Sequence, residues 1–292
     1  MYQTIYDELK RKLGIMDKSD EILELALQTA IISEEILRKL HGDVVGIYPK
    51  FPKSWKMVID IKDNSYMDEW GIRYRMPRNG WYFEMIDHPP LKDSTLKSLD
   101  IYDWPDLYDE GRFEGVEEKA KYFYKNTDFA ITIGCTFGGG ILKDGTWLVG
   151  FEKWFYSLAN DSYFVEKVMD KVLEFHIWYW DAMLSRSGKY IQVVVLGDDL
   201  GTQDSLFISP DIYRRFVKPR HKKLVNFIKS KADVKVLLHS DGAIREIISD
   251  IIDCGIDILN PIQVLARGMG DTKALKEEFG EKLVFWGGGC DT

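Results

Sequence analysis

Cysteine is scarce in this chain. Cys135, Cys254 and Cys290 are an odd count of three in 292 residues, which offers no disulfide framework and suits a reducing cytosol. Long apolar runs are missing too. No uninterrupted stretch approaches the ~20 residues needed to cross a bilayer, and residues 1–14 are amphipathic and mixed in charge, with no apolar signal core. Positive charge is in deficit: 39 Lys and Arg against 47 Asp and Glu leave a net charge of −8 and a pI near 5.3, which argues against a nucleic-acid or anionic-membrane surface. The glycine-rich stretch Thr136-Phe137-Gly138-Gly139-Gly140 lacks the Gly-x-Gly-x-x-Gly order and the Lys-Ser/Thr ending of phosphate loops, so no nucleotide is expected. What is present is ample core material, 45% hydrophobic and 13% aromatic. The composition fits a soluble, cytoplasmic protein with either one large barrel or two ordinary domains.

Residues 20–40 carry Ile22, Leu23, Leu25, Ala26, Leu27, Ile31, Ile32, Ile36 and Leu37 at helical spacing after a candidate cap, Ser19, and predict an N-terminal helical layer. Two alternating segments, 72–76 and 81–85, flank Arg78-Asn79-Gly80 and predict a β-hairpin lying over the main body. From about residue 113 a strand–helix alternation sets in. Strands are expected at 129–134, 191–197, 234–239, 258–261 and 283–286, continuously apolar as in a sheet covered on both faces. Helix signals fill the gaps: a long aromatic-rich segment at 162–186 closed by Gly188, a Ser209-Pro210 start interrupted at Pro219, a helix at 243–254 ending at Gly255, and a helix capped by Asp271. Such repeats predict an α/β fold with a parallel sheet. A distorted (β/α)8 TIM barrel is the first expectation and an open doubly wound sheet the second. Residues 1–112 would be the helical segment and hairpin excursion, and 113–292 the barrel units, within one structural domain. The chain stops just after an apolar strand, at Gly287-Gly288-Gly289-Cys290-Asp291-Thr292. It therefore reads as part of a longer chain whose final strand lies beyond Thr292.

The chemistry is concentrated at strand ends. Val234 to Leu238 reads as a strand that delivers His239 and Asp241 on one face before turning at Gly242. In a parallel α/β protein the carboxyl ends of strands are where chemistry is done; the alternative is an aspartate capping the next helix beside a hydrogen-bonded histidine. Asp198 and Asp199 follow another strand, and at most one should face the pocket while its neighbour caps or orients a loop. Gln203, Asn260 and Gln263 are candidate substrate hydrogen-bonders, with turn formation the competing role. His176 sits among aromatics on the long helix and is expected to be packed. His41, His88 and His221 read as loop or surface residues. Trp147, Phe151, Trp154, Phe155 and Tyr156 form an aromatic cluster suited to core packing or to a flat ligand. Cys254 reads as core, and Cys135 as structural or pocket-lining.

Taken in order, Gly197-Asp198-Asp199-Leu200-Gly201-Thr202-Gln203, Ile208-Ser209-Pro210, Lys218-Pro219-Arg220, His239-Ser240-Asp241-Gly242, the run from Gly255 to Gln263 and Phe285-Trp286-Gly287-Gly288-Gly289 resemble the uroporphyrinogen decarboxylase superfamily. The resemblance covers roughly residues 95–292 and is closest to the corrinoid-linked, methylcobamide-type methyltransferase branch. It implies a distorted (β/α)8 barrel with a deep pocket at the strands' carboxyl ends. The chain departs from the decarboxylases in lacking their Arg-Gln-Ala-Gly-Arg stretch and Phe-Ser-Asp motif; its early loop, Gly46 to Pro52, has no arginine. A tetrapyrrole with eight carboxylates should demand a cationic pocket. It departs from the methyltransferase branch in carrying Asp241 where that branch has a zinc-binding cysteine.

Zinc accepts histidine, cysteine and carboxylate ligands, and His239, Asp241 and Cys290 all end expected strands. Cys290 as a buried, inert thiol is the alternative. The expected activity is methyl transfer between a small methylated substrate, such as an O-methyl compound, and a corrinoid carried by a partner protein. In that reaction zinc would activate the heteroatom, and His239, Asp241, Asp198 and Asp199 are the catalytic candidates. Decarboxylation of a uroporphyrinogen-type substrate is the alternative activity, and a ligand-binding or inactive homologue the third reading.

Overall fold

The computed structural model describes residues 1–16, 22–86, 90–134 and 140–288. Six parallel strands form the central sheet: β1 Val44–Ile47, β2 Ala130–Ile133, β3 Val193–Gly197, β4 Lys235–His239, β5 Ile258–Asn260 and β6 Val284–Phe285. Each strand hydrogen-bonds to its neighbours in sequence, giving the order β1-β2-β3-β4-β5-β6. A doubly wound sheet would turn back on itself at a switch point; this one does not. The architecture is α/β and TIM-barrel-like, and among the described residues no pairing joins β1 to β6. The expected strands are found within a residue or two of their sequence bounds. β1 is the exception, because its four residues are followed by Tyr48-Pro49-Lys50 and read as loop. The parallel sheet thus begins well before residue 113.

Side chains alternate across each strand, and the sheet is covered on both sides. Val194, Val236, Leu238 and Leu259 join the main core beneath the helices. Val193, Leu237 and Ile258 form a separate apolar cluster with Val195 and Trp286 on the opposite face. The register Leu237↔Ile258 and His239↔Asn260 between β4 and β5 carries this inner face up to two polar side chains at the strand ends. The helix Ser162–Ser187 buries Phe164, Val168, Val172, Tyr179 and Met183, among others, against the outer face.

The expected helix over 20–40 is not formed. Instead Ile22–Glu24 and Thr29–Ala30 pair as a short antiparallel hairpin, with Gln28 at positive φ, and only Glu34–Lys39 is helical. A near-continuous apolar run such as Ile22 to Leu27 satisfies helical and strand periodicities alike. The expected cap, Ser19, lies outside the described residues. A helix does form earlier, at Gln3–Leu13. Gly188 closes the long helix as expected, but in the right-handed region (φ −54°) rather than the left. Ser209 caps a turn that accepts Pro210 at its start, and a π-helical turn at Tyr213–Val217 precedes Lys218–Lys231. Pro219 has no N–H to donate into that turn, which accounts for the irregularity. No helix among the described residues is long and apolar enough to cross a membrane.

The hairpin excursion is a three-stranded antiparallel sheet, Ser65–Met67, Arg73–Arg75 and Glu84–Ile86. Its turn closes at Pro77 to Gly80, where the Gly80 N–H donates to the Pro77 carbonyl. Asp68 lies at the other connection. Its Oδ1 accepts from the N–H groups of Trp70 and Ile72, both at 2.9 Å, and the Tyr74 hydroxyl hydrogen-bonds its carboxyl. Burial nevertheless pushes the Asp68 carboxyl up to about 7, against the lowering effect of these bonds. Between the ordinary carboxyl value and about 7 the folded chain therefore holds a proton that the unfolded chain releases. Asp68's contribution to stability falls as pH rises through that interval. Replacing Asp68 by Asn should remove this component, so the stability gap between variant and parent in urea titrations should grow in the variant's favour from pH 5 to pH 8.

Candidate functional site

The alternation that buries Val194 and Leu196 on one side of β3 also separates the two aspartates that follow it. Asp198 continues the outer series and is fully buried. Its Oδ2 accepts from the N–H groups of Ile141 and Leu142, each at 3.0 Å, and its Oδ1 from Lys143 at 2.8 Å. These are unpaired donors of the first turn of helix Ile141–Val149, whose positive end favours an anion. Gly140 permits the approach, since a Cβ there would lie 2.5 Å from Asp198 Oδ1. The His221 Nε2 lies 2.9 Å from Oδ2, and its Nδ1 3.3 Å from the Tyr213 hydroxyl. Asp198, a catalytic candidate in the sequence, thus has its carboxylate wholly committed to holding a helix and a histidine. The surface expectation for His221 is likewise corrected: it is buried. The signal was in the sequence, because His221, Leu224, Val225 and Ile228 fall on one face of their helix.

Asp199 continues the inner series with Val193, Val195 and Gly197. It meets His239 and Asp241, the inner-face residues that follow Leu237. One ligand atom from each of Asp199, His239 and Asp241 lies within 4.8 Å of the other two. His239 Nε2 is 3.5 Å from Asp241 Oδ2 and 4.0 Å from Asp199 Oδ1. On the far side of the ring, Nδ1 lies 2.8 Å from Asn260 Oδ1. The Asn260 amide nitrogen donates to the Trp286 carbonyl at 2.7 Å. That donation fixes the amide so that its oxygen accepts the Nδ1 proton, leaving Nε2 turned toward the carboxylates. The hydrogen bond with Asp241 raises the His239 pKa above its ordinary value, burial opposing it, and the same bond lowers that of Asp241.

Lys143 completes the cluster and carried no signal in the sequence. Its ammonium lies 2.7 Å from Asp199 Oδ2. Burial pulls its pKa down, but the ion pair with Asp199 and the nearby Asp144 and Asp198 carboxylates together outweigh this, and the net shift is upward. The loop beyond Asp241 turns at Gly242, where φ is +91° and a Cβ would stand 2.5 Å from the Gly201 backbone. Gln263 Oε1 accepts from the Gly242 N–H at 2.8 Å, so this side chain braces the turn rather than presenting its carbonyl to a substrate. Gln203 is exposed in the adjoining loop, joined to the chain through its backbone carbonyl, which accepts from Arg267. Cys290, Cys135 and His88 lie outside the described residues.

The remaining candidates fall where packing puts them. His176 is buried with its Nε2 2.8 Å from Asp144 Oδ2. Cys254 is core, its thiol pushed up to about 11 by burial. His41 is exposed. The aromatic cluster divides: Trp154 is fully buried, Phe151 and Tyr156 are exposed, Phe155 stacks on Phe207, and Trp147 lines a cleft.

One imidazole nitrogen and two carboxylates, converging at the carboxyl ends of adjacent barrel-like strands, form a candidate centre for a divalent metal ion in an α/β protein. The chain belongs to the uroporphyrinogen decarboxylase (URO-D) family, whose model matches residues 69–275. It is 28% identical over 132 residues to the methylcobamide:CoM methyltransferase MtaA of Methanosarcina barkeri; the match takes in 45% of this chain and 34% of that protein. It therefore spans only about a third of the length of that relative. Among solved structures it superposes on a methyltransferase from Methanosarcina mazei with a TM-score of 0.62 at 23% identity, over 94% of this chain and 72% of that one. This likeness shows the shared fold.

Proposed function

We propose that the chain is a methyltransferase of the URO-D family that moves a methyl group between a small methylated substrate and the corrinoid of a partner protein. The observation that carries the reading is the convergence of Asp199, His239 and Asp241 around the Nε2 edge of a histidine whose other nitrogen is held by Asn260. The methylcobamide:CoM methyltransferase activity of the MtaA relative supports it.

The donor set fits a zinc ion. Zinc takes imidazole nitrogen and carboxylate oxygen, and Lys143 engages one Asp199 oxygen while the other faces His239. Carboxylates among the donors, Asp241 standing where the methyltransferase branch has a cysteine, make the site harder and favour an oxygen heteroatom. Bound there, zinc would act as a Lewis acid that lowers the pKa of an alcohol or thiol. Around it, Asn260 keeps the Nδ1 proton in place and Lys143 holds Asp199 against rotation. Asp241, with its side chain about half exposed, forms the solvent side of the opening. Cys290 is proposed as a further, thiolate ligand. Against decarboxylation of a polyanion stand the two carboxylates of the cluster and the commitment of the buried Arg112 to Glu69.

The test is zinc content and affinity by chelator competition, followed by methylation of a corrinoid protein read from its absorbance. Asn260→Ala should weaken zinc binding by about 10–100-fold, the usual cost of losing a histidine's supporting partner, with the fold intact. Cys290→Ala in the same assay tests the thiolate. Because Asp241 raises the His239 pKa, a proton should compete with the metal to higher pH than at an ordinary histidine. Zinc affinity should therefore fall as pH is lowered through that raised value. Absence of zinc in the folded parent at neutral pH would defeat the metal mechanism.

A further inference from the structure

Beside the cluster, between the N-terminal hairpin, the three-stranded sheet and helix Ile141–Val149, lies an open cleft with a cavity volume of about 60 Å³. Its walls are aromatic: Phe51, Trp55, Trp70 and Trp147, with the rings of Tyr66 and Tyr74 at the base of the sheet. Among the described residues its charged groups are all carboxylates, from Glu24, Asp68 and Glu69, with no lysine or arginine in the lining. Glu69 is already matched, because both of its oxygens bond the Arg112 guanidinium. Asp68 and Glu24 are not. Asp68 accepts from two backbone N–H groups and Tyr74. The cation acting on Glu24 is Lys143, whose ammonium is hydrogen-bonded to Asp199. Burial raises the pKa of both carboxyls toward the neutral form, and an organic cation seated between them would favour the charged form.

The cleft and the cluster share one helical turn. Lys143 and Trp147 stand four residues apart on the same face, with the Lys143 ammonium 5.8 Å from the Trp147 ring centroid and 2.7 Å from Asp199. A molecule seated against Trp147 would therefore lie next to the cluster. Aromatic faces present the negative end of a quadrupole, and together with carboxylates they select soft organic cations, quaternary ammonium groups above all. An anion would meet repulsion from the carboxylates.

We propose that this cleft binds the cationic end of the substrate, a quaternary or protonated methylated ammonium group, while the reacting heteroatom of the same molecule reaches Asp199, His239 and Asp241. The substrate class is then small, amine-bearing methylated compounds. The inference rests on the methyl-transfer reading for its second half; the cation selectivity of the cleft stands on the cleft alone.

The experiment uses the full chain and three probes of similar shape: choline, its neutral carbon isostere 3,3-dimethylbutan-1-ol, and the anion 3,3-dimethylbutanoate. Binding is read from the fluorescence of the cleft tryptophans and by calorimetry. Choline should bind about tenfold more tightly than the neutral isostere, and the anion should not bind. Glu24→Gln should weaken choline about tenfold without weakening the neutral alcohol. Asp68→Asn, which retains an oxygen for the Trp70 and Ile72 N–H groups, should do the same and serves if the Glu24 variant misfolds. Equal affinity for choline and the alcohol, or choline binding unchanged in both folded variants, would overturn the proposal. Zinc content measured on the same samples separates the two ideas. Zinc without choline selectivity defeats the cleft inference alone, whereas choline selectivity without zinc defeats the metal-assisted transfer and leaves the cation site standing.

Discussion

His239→Ala is expected to abolish zinc binding and to reduce methyl transfer by well over 100-fold, with little change in thermal stability. Losing a histidine's supporting partner alone costs about 10–100-fold, and losing the histidine removes the imidazole ligand of the cluster formed by the described residues. Its structural cost should be small, because the side chain is 39% exposed and its bond to Asn260 is one neutral hydrogen bond, worth about 1 kcal/mol. Asn260 also remains anchored through Trp286. Activity and stability should therefore separate cleanly. Elemental analysis, turnover and a urea titration on one preparation provide the check. If zinc persists at parental stoichiometry, the metal is bound elsewhere. If zinc is lost but turnover survives, the cluster is not where transfer occurs.

How far the sequence could lead is visible in the same residues. The strands that carry the site were legible because each is a short apolar run that leads into polar residues: 234–239 ends in His239, and 191–197 is followed by the two aspartates. Alternation alone implied that only one of Asp198 and Asp199 would face the pocket, and continuing the series Val193, Val195, Gly197 points to Asp199. The terminus of helix Ile141–Val149, which claims Asp198, lies more than fifty residues away in the chain. No local pattern announces such a partner. Lys143 was hidden for the same reason. The carboxylate cleft draws on Glu24, Asp68 and Trp147, three segments brought together only by the fold. His221 differs, because its burial is readable from the helical spacing of His221, Leu224, Val225 and Ile228. The hairpin at 22–30 departs from the helical expectation because its apolar run obeys two periodicities at once, and pairing with a partner strand decides between them.

The adjacent aspartates supply the other large effect, and they should behave as opposites. Asp198→Ala strips the anion from the first turn of helix Ile141–Val149 and leaves three backbone N–H groups and the His221 ring facing a void. Removing one partner from a buried charged pair costs about 3–5 kcal/mol, a large fraction of the roughly 5–15 kcal/mol by which such proteins are stable. Asp198→Asn keeps one acceptor oxygen but gives up the charge that matches the helix terminus, and should fall between variant and parent. Asp199→Ala removes a partly exposed ion pair with Lys143, worth about 0–1 kcal/mol, and one donor of the proposed metal centre. Its stability should stay within about 1 kcal/mol of the parent while its zinc affinity drops at least tenfold. The contrast is sharp because the two substitutions are chemically identical and one residue apart. Urea titration ranks their stabilities and chelator competition ranks their zinc affinities. Equal destabilisation by both would show that the outer and inner faces of β3 do not divide structural from functional work as described. A stable Asp198→Ala variant would mean that helix Ile141–Val149 holds its position without the carboxylate.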